Sequence, residues 1–436
     1  MTKKPKILIF STAYLPLVGG AEIAVKEITD RIKDYDFDLI CARLNHQFKK
    51  KERIGQVSVH RIGWGTNFDK ILLPISGFLK AFKLYKKQKE KRQVIIWSLM
   101  ASWGSLSALF FKVFHPQVPF LLTLQEGDSE IYIRKGRFGL INFSWRLLFK
   151  KANYIQVISN YLSDLARKFG YQGQIEVVPN GVDLDKFSIG RAKRGREMKA
   201  KPSATFNFQF SIKELKEKLG IWEDEKVIIT VSRLVEKNGI GDLIEAVYYC
   251  SSETERSEAE SRTNQAEKLL DSPAPFRGKM LGRSKNKIVL IILGSGPLEK
   301  VLKIKTQNLK LEERVLFLGN IPNEEVPKYL SIADLFVRPS LSEGLGSAFL
   351  EAMAAGVPII GTPVGGIPDF LKDGQTGLFC QVKNPKSIAE KINLLLSDEN
   401  LRQKLIFNGK KMIEEKYDWN IISKKMENIF NRLCAS

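Results

Sequence analysis

Short, unbroken apolar runs recur along this chain with amphipathic stretches between them, and that alternation constrains the fold more than any other feature. Lys6–Phe10, Asp38–Ala42, Val57–Ile62, Val94–Trp97, Phe120–Leu124 and Tyr154–Ser159 read as strands in the first half. Their apolarity is continuous rather than alternating, which suits parallel strands covered on both faces. Helical periodicity fills the intervals, as at 22–33 and 75–91. A second series runs through 226–231, 287–293, 315–318, 335–337 and 357–360. The pattern predicts an α/β protein of two doubly wound, Rossmann-like parallel-sheet domains. The length of 436 residues agrees, because single domains usually run to about 100–200 residues.

Pro179-Asn180-Gly181-Val182-Asp183 closes the first series with a turn, which puts the first domain at 1–185. Gly190 to Lys201 is strongly basic and Pro202 to Phe208 lacks periodicity, so 186–225 reads as a linker with an exposed loop. The second domain is expected over 226–405, interrupted by a polar, aperiodic insertion at 251–286. Residues 406–436 read as C-terminal helices that pack back towards the first domain. Two such domains facing one another imply a ligand cleft lined by loops from the carboxyl ends of both sheets.

Composition narrows the function classes. A net charge of +21 calls for an anionic partner: nucleic acid, an anionic membrane surface or a phosphorylated substrate. No nucleic-acid recognition motif accompanies it. Cys41, Cys250, Cys380 and Cys434 are far apart and form no CxxC pair, which argues against a disulfide framework or zinc cluster and for a reducing compartment. The apolar run at 7–10 is too short for a signal peptide and fits a first strand. Val94 to Phe111 carries no charge, but its serines and Gly104 suit a strand followed by a helix over 98–114 better than a membrane span. The expectation is a cytoplasmic protein, peripheral on the inner face of the cell membrane.

The segment from Ser340 to Met353 carries the chemistry. It follows a strand and opens a helix. Gly344 and Gly346 permit close backbone approach, and the helix N-terminus offers free N–H groups to an anion such as a diphosphate. Two carboxylates bracket the turn. At helical spacing Glu343 and Glu351 would stand ~12 Å apart along the axis, and a loop shortens that. One can then meet a sugar beyond the phosphates while the other meets a ribose. Glu351 sits among Leu350, Ala352 and Met353, where a carboxylate without a partner is costly.

Glu343 and Glu351 form an E-x7-E pair, and the segment resembles retaining family-4 glycosyltransferases (glycosyl transferases group 1) with the GT-B fold. Gly356 through Asp369, Asp373-Gly374-Gln375-Thr376-Gly377-Leu378 and Tyr417-Asp418-Trp419 resemble the same family. The likeness covers nearly the whole chain and is stronger in its C-terminal half. It implies that Glu343 contacts the donor sugar and Glu351 the ribose. It also implies that Arg233 and Lys237 hold the diphosphate, with Gly344, Leu345, Gly346 and Ser347 at the helix start. Gly294 and Gly296 match the family's next donor loop, and the base is expected near Ile321. Gly19 and Gly20 resemble its N-terminal glycine loop, which is not a GxGxxG fingerprint and so argues against nicotinamide.

The first half departs from the family in one place. Where many relatives carry a histidine after the strand 120–124, this chain has Gln125, followed by Glu126, Gly127 and Asp128. Gln125 can hydrogen-bond a sugar hydroxyl but cannot titrate. Asp183-Leu184-Asp185 is a DxD triplet, yet it follows what resembles the family's interdomain turn, so no metal and no cofactor are expected.

The basic helix over 78–92 crowds Lys80, Lys83, Lys86, Lys87, Lys89, Lys91 and Arg92 among Phe78, Leu79, Phe82, Leu84 and Tyr85, a pattern suited to an anionic bilayer surface. The resemblance thus implies a metal-independent, retaining transfer of a hexose-type sugar from a nucleoside-diphosphate sugar. The expected acceptor is a glycan or lipid-linked saccharide, as in cell-surface polysaccharide synthesis. A non-catalytic sugar-nucleotide-binding subunit and a nucleotide-sugar epimerase of the same fold are the alternatives.

Overall fold

A computed structural model describes residues 4–87, 92–187, 212–251 and 288–435. The basic loop beyond 187, the insertion beyond 251, and Lys89 and Lys91 of the basic helix lie outside the described residues. The chain divides into two compact units. The first holds Met1–Val182, Ser342–Ser347 and Glu415–Ser436, and the second Asp183–Leu341 and Ala348–Glu414. The boundary at 182 and 183 puts Asp183-Leu184-Asp185 and Lys186 in the second unit, not in a first domain and linker. The return to the first unit begins at Glu415 rather than 406, because α15 (Glu399–Lys416) belongs to the second for most of its length.

The first unit is an eight-stranded sheet in the order β3-β4-β2-β1-β5-β6-β7-β8. Its strands are β1 (Lys6–Phe10), β2 (Asp36–Ala42), β3 (Lys51–Ile54), β4 (Val57–Ile62), β5 (Val94–Leu99), β6 (Phe120–Leu124), β7 (Tyr154–Val157) and β8 (Gln174–Val177). All pairings are parallel except that of the edge strand β3 with β4. Sequence patterning finds the central strands because they are apolar on both faces; every residue of β5 and β6 is buried. It misses β3 and β8, whose residues are partly exposed and charged. The unit's helices are α1 (Gly20–Arg31), α2 (Asp69–Lys86), α3 (Trp103–Phe114), α4 (Glu130–Lys135), α5 (Leu140–Lys151) and α6 (Asn160–Lys168). The C-terminal helix Trp419–Ala435 completes it, with Phe430 against Tyr35 and Trp97 at ring separations of 5.6 and 5.3 Å.

The second unit is a six-stranded, wholly parallel sheet in the order β11-β10-β9-β12-β13-β14. Its strands are β9 (Lys226–Val231), β10 (Ile288–Leu293), β11 (Val315–Gly319), β12 (Leu335–Arg338), β13 (Ile359–Gly361) and β14 (Leu378–Phe379). Its helices include α7 (Leu184–Phe187), α8 (Ile212–Lys218), α9 (over 240–251), α10 (Glu299–Asn308), α11 (Val326–Leu330), α12 (Ser347–Ala354), α13 (Ile367–Phe370) and α14 (Pro385–Ser397). In each sheet the strand order reverses once, at β1 in the first and between β9 and β12 in the second. Open α/β sheets bind ligands beside such reversals, outside the carboxyl ends of the strands.

Two expectations about the first unit change. Helix α2 starts at Asp69, whose carboxylate caps the turn by accepting from the Gly65 and Thr66 amides at 2.7 and 3.0 Å. Its aromatics are not spread over the solvent face. Phe78 stacks on Phe114 at 5.1 Å, Phe82 on His115 at 5.8 Å, and Tyr85 packs edge-on to Phe111. Helical periodicity turns them towards α3, and it leaves Phe68, Ile71, Ile75 and Leu79 as the exposed apolar residues. Val94 to Phe111 divides into β5 and most of α3, and among the described residues no helix is long and apolar enough to cross a membrane.

Candidate donor site

In the second unit the loops after β9, β10, β11 and β12 are stitched together at one end of the sheet. Ser232 donates its amide to the Leu293 carbonyl at 2.8 Å, and Gly294 donates to the Gly319 carbonyl at 2.7 Å. Leu234 donates to Ser295 at 3.0 Å, and Leu341 to Lys237 at 2.6 Å. Glycine is required here. At φ +133° Gly294 adopts a backbone disfavoured for other residues, and a Cβ on it would fall 2.0 Å from the Ser232 carbonyl oxygen. A Cβ on Gly296 would come 2.4 Å from the Leu234 carbonyl oxygen. The structure thus brings Arg233, Lys237, Gly294, Gly296 and the turn at Ile321 to the strands' carboxyl ends. Arg233 is exposed, whereas Lys237 is half-buried in a single 3-10 turn, Glu236–Asn238.

Glu351 lies on α12, largely buried. Burial pushes its carboxyl up to about 7 against the pull of Lys186, Asn323 and Arg338. The Asn323 amide donates to Glu351 Oε1 at 3.4 Å, and Lys186 Nζ donates to Asn323 Oδ1. Arg338 ends β12, donates to the Val231 carbonyl at 3.2 Å and lies over the Phe349 ring at 4.8 Å. Sequence reasoning missed these three partners. A charge at the end of the apolar run Leu335-Phe336-Val337 was a usable signal for Arg338. Nothing in the sequence joins Lys186 to Asn323, which are 137 positions apart.

The turn before α12 has its own place. Ser342–Ser347, with Glu343, groups with the first unit, whereas Glu351 groups with the second. Within the first unit Ser342 Oγ donates to the Gly127 carbonyl at 3.0 Å, and a Cβ on Gly344 would come 2.8 Å from the Glu126 carbonyl oxygen. Gly344, Leu345 and Gly346 are buried, and Gly346 takes φ +94° just before the helix at Ser347.

On the first sheet, the loops after β1, β6 and β8 meet. Gly19 caps α1, the Gly20 backbone lies beside the Asn180 amide, and that amide donates to Gln125 Oε1 at 3.4 Å. Gln125 is therefore held at the carboxyl end of β6. His115 stands before β6 and packs among Phe82, Tyr85 and Phe111, away from this place. Glu126 is the titratable neighbour. Its Oε1 accepts from the Ala101 amide at 2.5 Å and its Oε2 from the Gln125 amide at 2.9 Å, and burial pushes the carboxyl up to about 7.

Two doubly wound parallel sheets with glycine-lined loops at their carboxyl ends define the class as α/β proteins of the GT-B architecture. Comparison with known proteins takes this further. The family model Glycosyltransferase Family 4 matches residues 18–186, and Glycosyl transferases group 1 matches residues 267–412. The chain belongs to the family-4-like glycosyltransferases with the GT-B fold.

It is 30% identical over 259 residues to an uncharacterized glycosyltransferase of Methanocaldococcus jannaschii, covering 59% of this chain and 54% of that protein. The chain thus spans about half of that relative's length, and likewise half of a second, N-acetyl-alpha-D-glucosaminyl L-malate synthase of Bacillus anthracis. A longer match, 27% identical and covering 91% of this chain and 89% of the relative, is to alpha-monoglucosyldiacylglycerol synthase of Acholeplasma laidlawii. Among solved structures, sucrose-phosphate synthase of Thermosynechococcus elongatus superposes with a TM-score of 0.75 at 20% identity, covering 99% of this chain and 100% of that one. Anabaena HepE in complex with UDP-glucose superposes with a TM-score of 0.71 at 17% identity, covering 98% and 99%.

Proposed function

We propose that this chain transfers a hexose-type sugar, with retention and without a metal, from a nucleoside-diphosphate sugar to a glycan or lipid-linked saccharide. The observation that carries this reading is the set of loops gathered beside the strand-order reversal of the second sheet. Arg233, Lys237 and the Gly294–Gly296 turn stand there with Glu351 near. In the proposed reaction the bond between the sugar's anomeric carbon and the diphosphate oxygen breaks, and its electron pair leaves with the nucleoside diphosphate. Arg233, Lys237 and the amides at the start of α12 stabilise that growing charge. Glu351 accepts from the ribose hydroxyls, and Glu343 contacts the donor sugar. The acceptor hydroxyl forms the new bond and gives its proton to the departing diphosphate. Retention rests on the family resemblance.

The relatives' names and structures support the donor class: HepE was solved with UDP-glucose, and the Acholeplasma relative is named for a glucosyl lipid product. The outward side of α2, with Phe68, Ile71, Ile75 and Leu79 exposed ahead of Lys83, Lys86 and Lys87, supports docking at the inner face of an anionic membrane.

The test is nucleoside diphosphate release from a panel of UDP-, GDP- and ADP-sugars, with membrane lipid extract as acceptor. Release from one donor, raised by the extract and lost in Glu343→Ala and Arg233→Ala, is the expected result. Tight donor binding without release in every extract would favour a non-catalytic subunit. Failure of every nucleotide sugar to bind would end the proposal.

A further inference from the structure

On the first unit, α4, α5 and the segment that follows α6 line an open pocket of about 630 Å³. Four cations line it: Arg134 from α4, Arg146 and Lys150 from α5, and Lys168 from the end of α6. One carboxylate answers part of that charge. Glu130 pairs with Arg134 at 3.1 Å and with Lys168 at 2.7 Å. Among the described residues no carboxylate pairs with Arg146 or Lys150. Basic residues often end helices, where they offset the carbonyls of the last turn. Arg146 stands five residues before the end of α5, outside that turn.

The wall adds two more features. Phe169 carries the Arg134 guanidinium over its ring at 5.3 Å, beside the pocket. Tyr171 is 3% exposed, and its hydroxyl is buried with no hydrogen-bond partner among the described residues. A buried donor left unmet costs about 1–3 kcal/mol, so an acceptor that met this hydroxyl after a small shift of the wall would be favoured. Gly173 leaves the hydroxyl its space, since a Cβ there would fall 2.4 Å from it.

We propose that this pocket is a phosphoryl-group site, in which Arg146, Lys150, Arg134, Lys168 and the Tyr171 hydroxyl receive a phosphate mono- or diester. Guanidinium and ammonium groups around a hydroxyl donor match the oxygens of a phosphate, and Arg can bind them two at a time. The volume falls within the about 300–1,000 Å³ of small-molecule sites, which leaves room for a body larger than the phosphate itself. Leu140 and Phe143, exposed on α5 ahead of Arg146, extend the same surface with apolar area. The site is separate from the donor loops, and its existence does not depend on the proposed transfer.

The test uses the full chain without nucleotide, with Arg233→Ala run beside it so that binding at the donor loops is told apart. One arm titrates glycerol 3-phosphate by calorimetry. The other follows co-sedimentation with vesicles of phosphatidylcholine, with and without phosphatidylglycerol. Both arms compare wild type with the double variant Arg146→Ala/Lys150→Ala, whose side chains are exposed and whose folding is checked by thermal melting. The expected result is binding in at least one arm that weakens 10-fold or more in the double variant and several-fold in Tyr171→Phe. Stronger binding to the phosphatidylglycerol vesicles identifies a lipid phosphate, and binding of glycerol phosphate alone identifies a soluble one. No binding in either arm, or binding equal in wild type and double variant, overturns the proposal.

Discussion

Two glutamates, one in each unit, carry the same perturbation and differ in what surrounds them. Burial pushes both Glu126, after β6, and Glu351, on α12, up to about 7. Glu126 spends both carboxyl oxygens on main-chain amides, those of Ala101 and Gln125. These donors are fixed parts of two loops, so the side chain works as a clamp that joins the end of β5 to the end of β6. Glu351 meets side chains instead: Asn323 at 3.4 Å, with Lys186 behind it and Arg338 acting through charge. Long, weak contacts to side chains can be exchanged for a ligand's hydroxyls at little cost, whereas main-chain bonds cannot. A perturbed carboxyl is thus a candidate for chemistry only once its partners are known.

The comparison can be broken at several points. Arg233→Ala should have the largest effect, lowering kcat about 100-fold or more if it stabilises the leaving diphosphate. Because Arg233 is exposed, thermal unfolding should be nearly unchanged; a variant with full turnover would remove the second unit's claim to the reaction. Glu351→Ala should weaken binding of the nucleoside diphosphate that the donor panel identifies about 10–100-fold by calorimetry, the worth of hydrogen bonds to a charged group. Unaltered affinity would place Glu351 with Glu126 as a purely structural carboxylate.

Glu126→Ala should act on stability instead. Leaving the Ala101 and Gln125 amides unmet costs about 1–3 kcal/mol for each, read by urea unfolding, while affinity for the same nucleoside diphosphate stays at the wild-type value. Glu126→Gln should restore little, because an amide group offers only one acceptor oxygen where two donors wait. The pH dependence of stability is a further test. A carboxyl raised above its ordinary 4.5 to about 7 favours the protonated folded state. Its contribution to stability is complete below about pH 4.5 and is lost as the pH rises through about 7. Wild type should therefore lose stability between about pH 4.5 and 7, and Glu351→Gln should remove the Glu351 share of that slope in melts across the range, leaving the Glu126 share. An equal slope in both proteins would mean that Glu351 titrates near its ordinary value.

Much of the architecture was legible in advance because parallel strands buried on both faces must be apolar without interruption. The central strands of both sheets follow that rule, and the edge strands β3, β8 and β14 escape it because they are short or half exposed. The donor loops were legible for a related reason. Close backbone approach needs glycine at particular places, and Gly294, Gly296 and Gly346 mark them directly in the sequence. The basic stretch after residue 78 misled in part: its charges were visible, but which flank of α2 its aromatics covered depended on α3.

What the sequence by itself determined, then, is the kind of structure and the kind of chemistry: strand periodicity, glycine turns and the E-x7-E spacing are local, and local features are written in neighbouring residues. Which charges meet was decided only by the tertiary structure. Lys186 reaches Asn323, Asn323 reaches Glu351, and Arg134, Arg146, Lys150 and Lys168 converge on one pocket, although each arrives on a different turn of helix or a different element. Electrostatic partnership depends on separation in space, and separation along the chain carries almost no information about it once the sheets have closed.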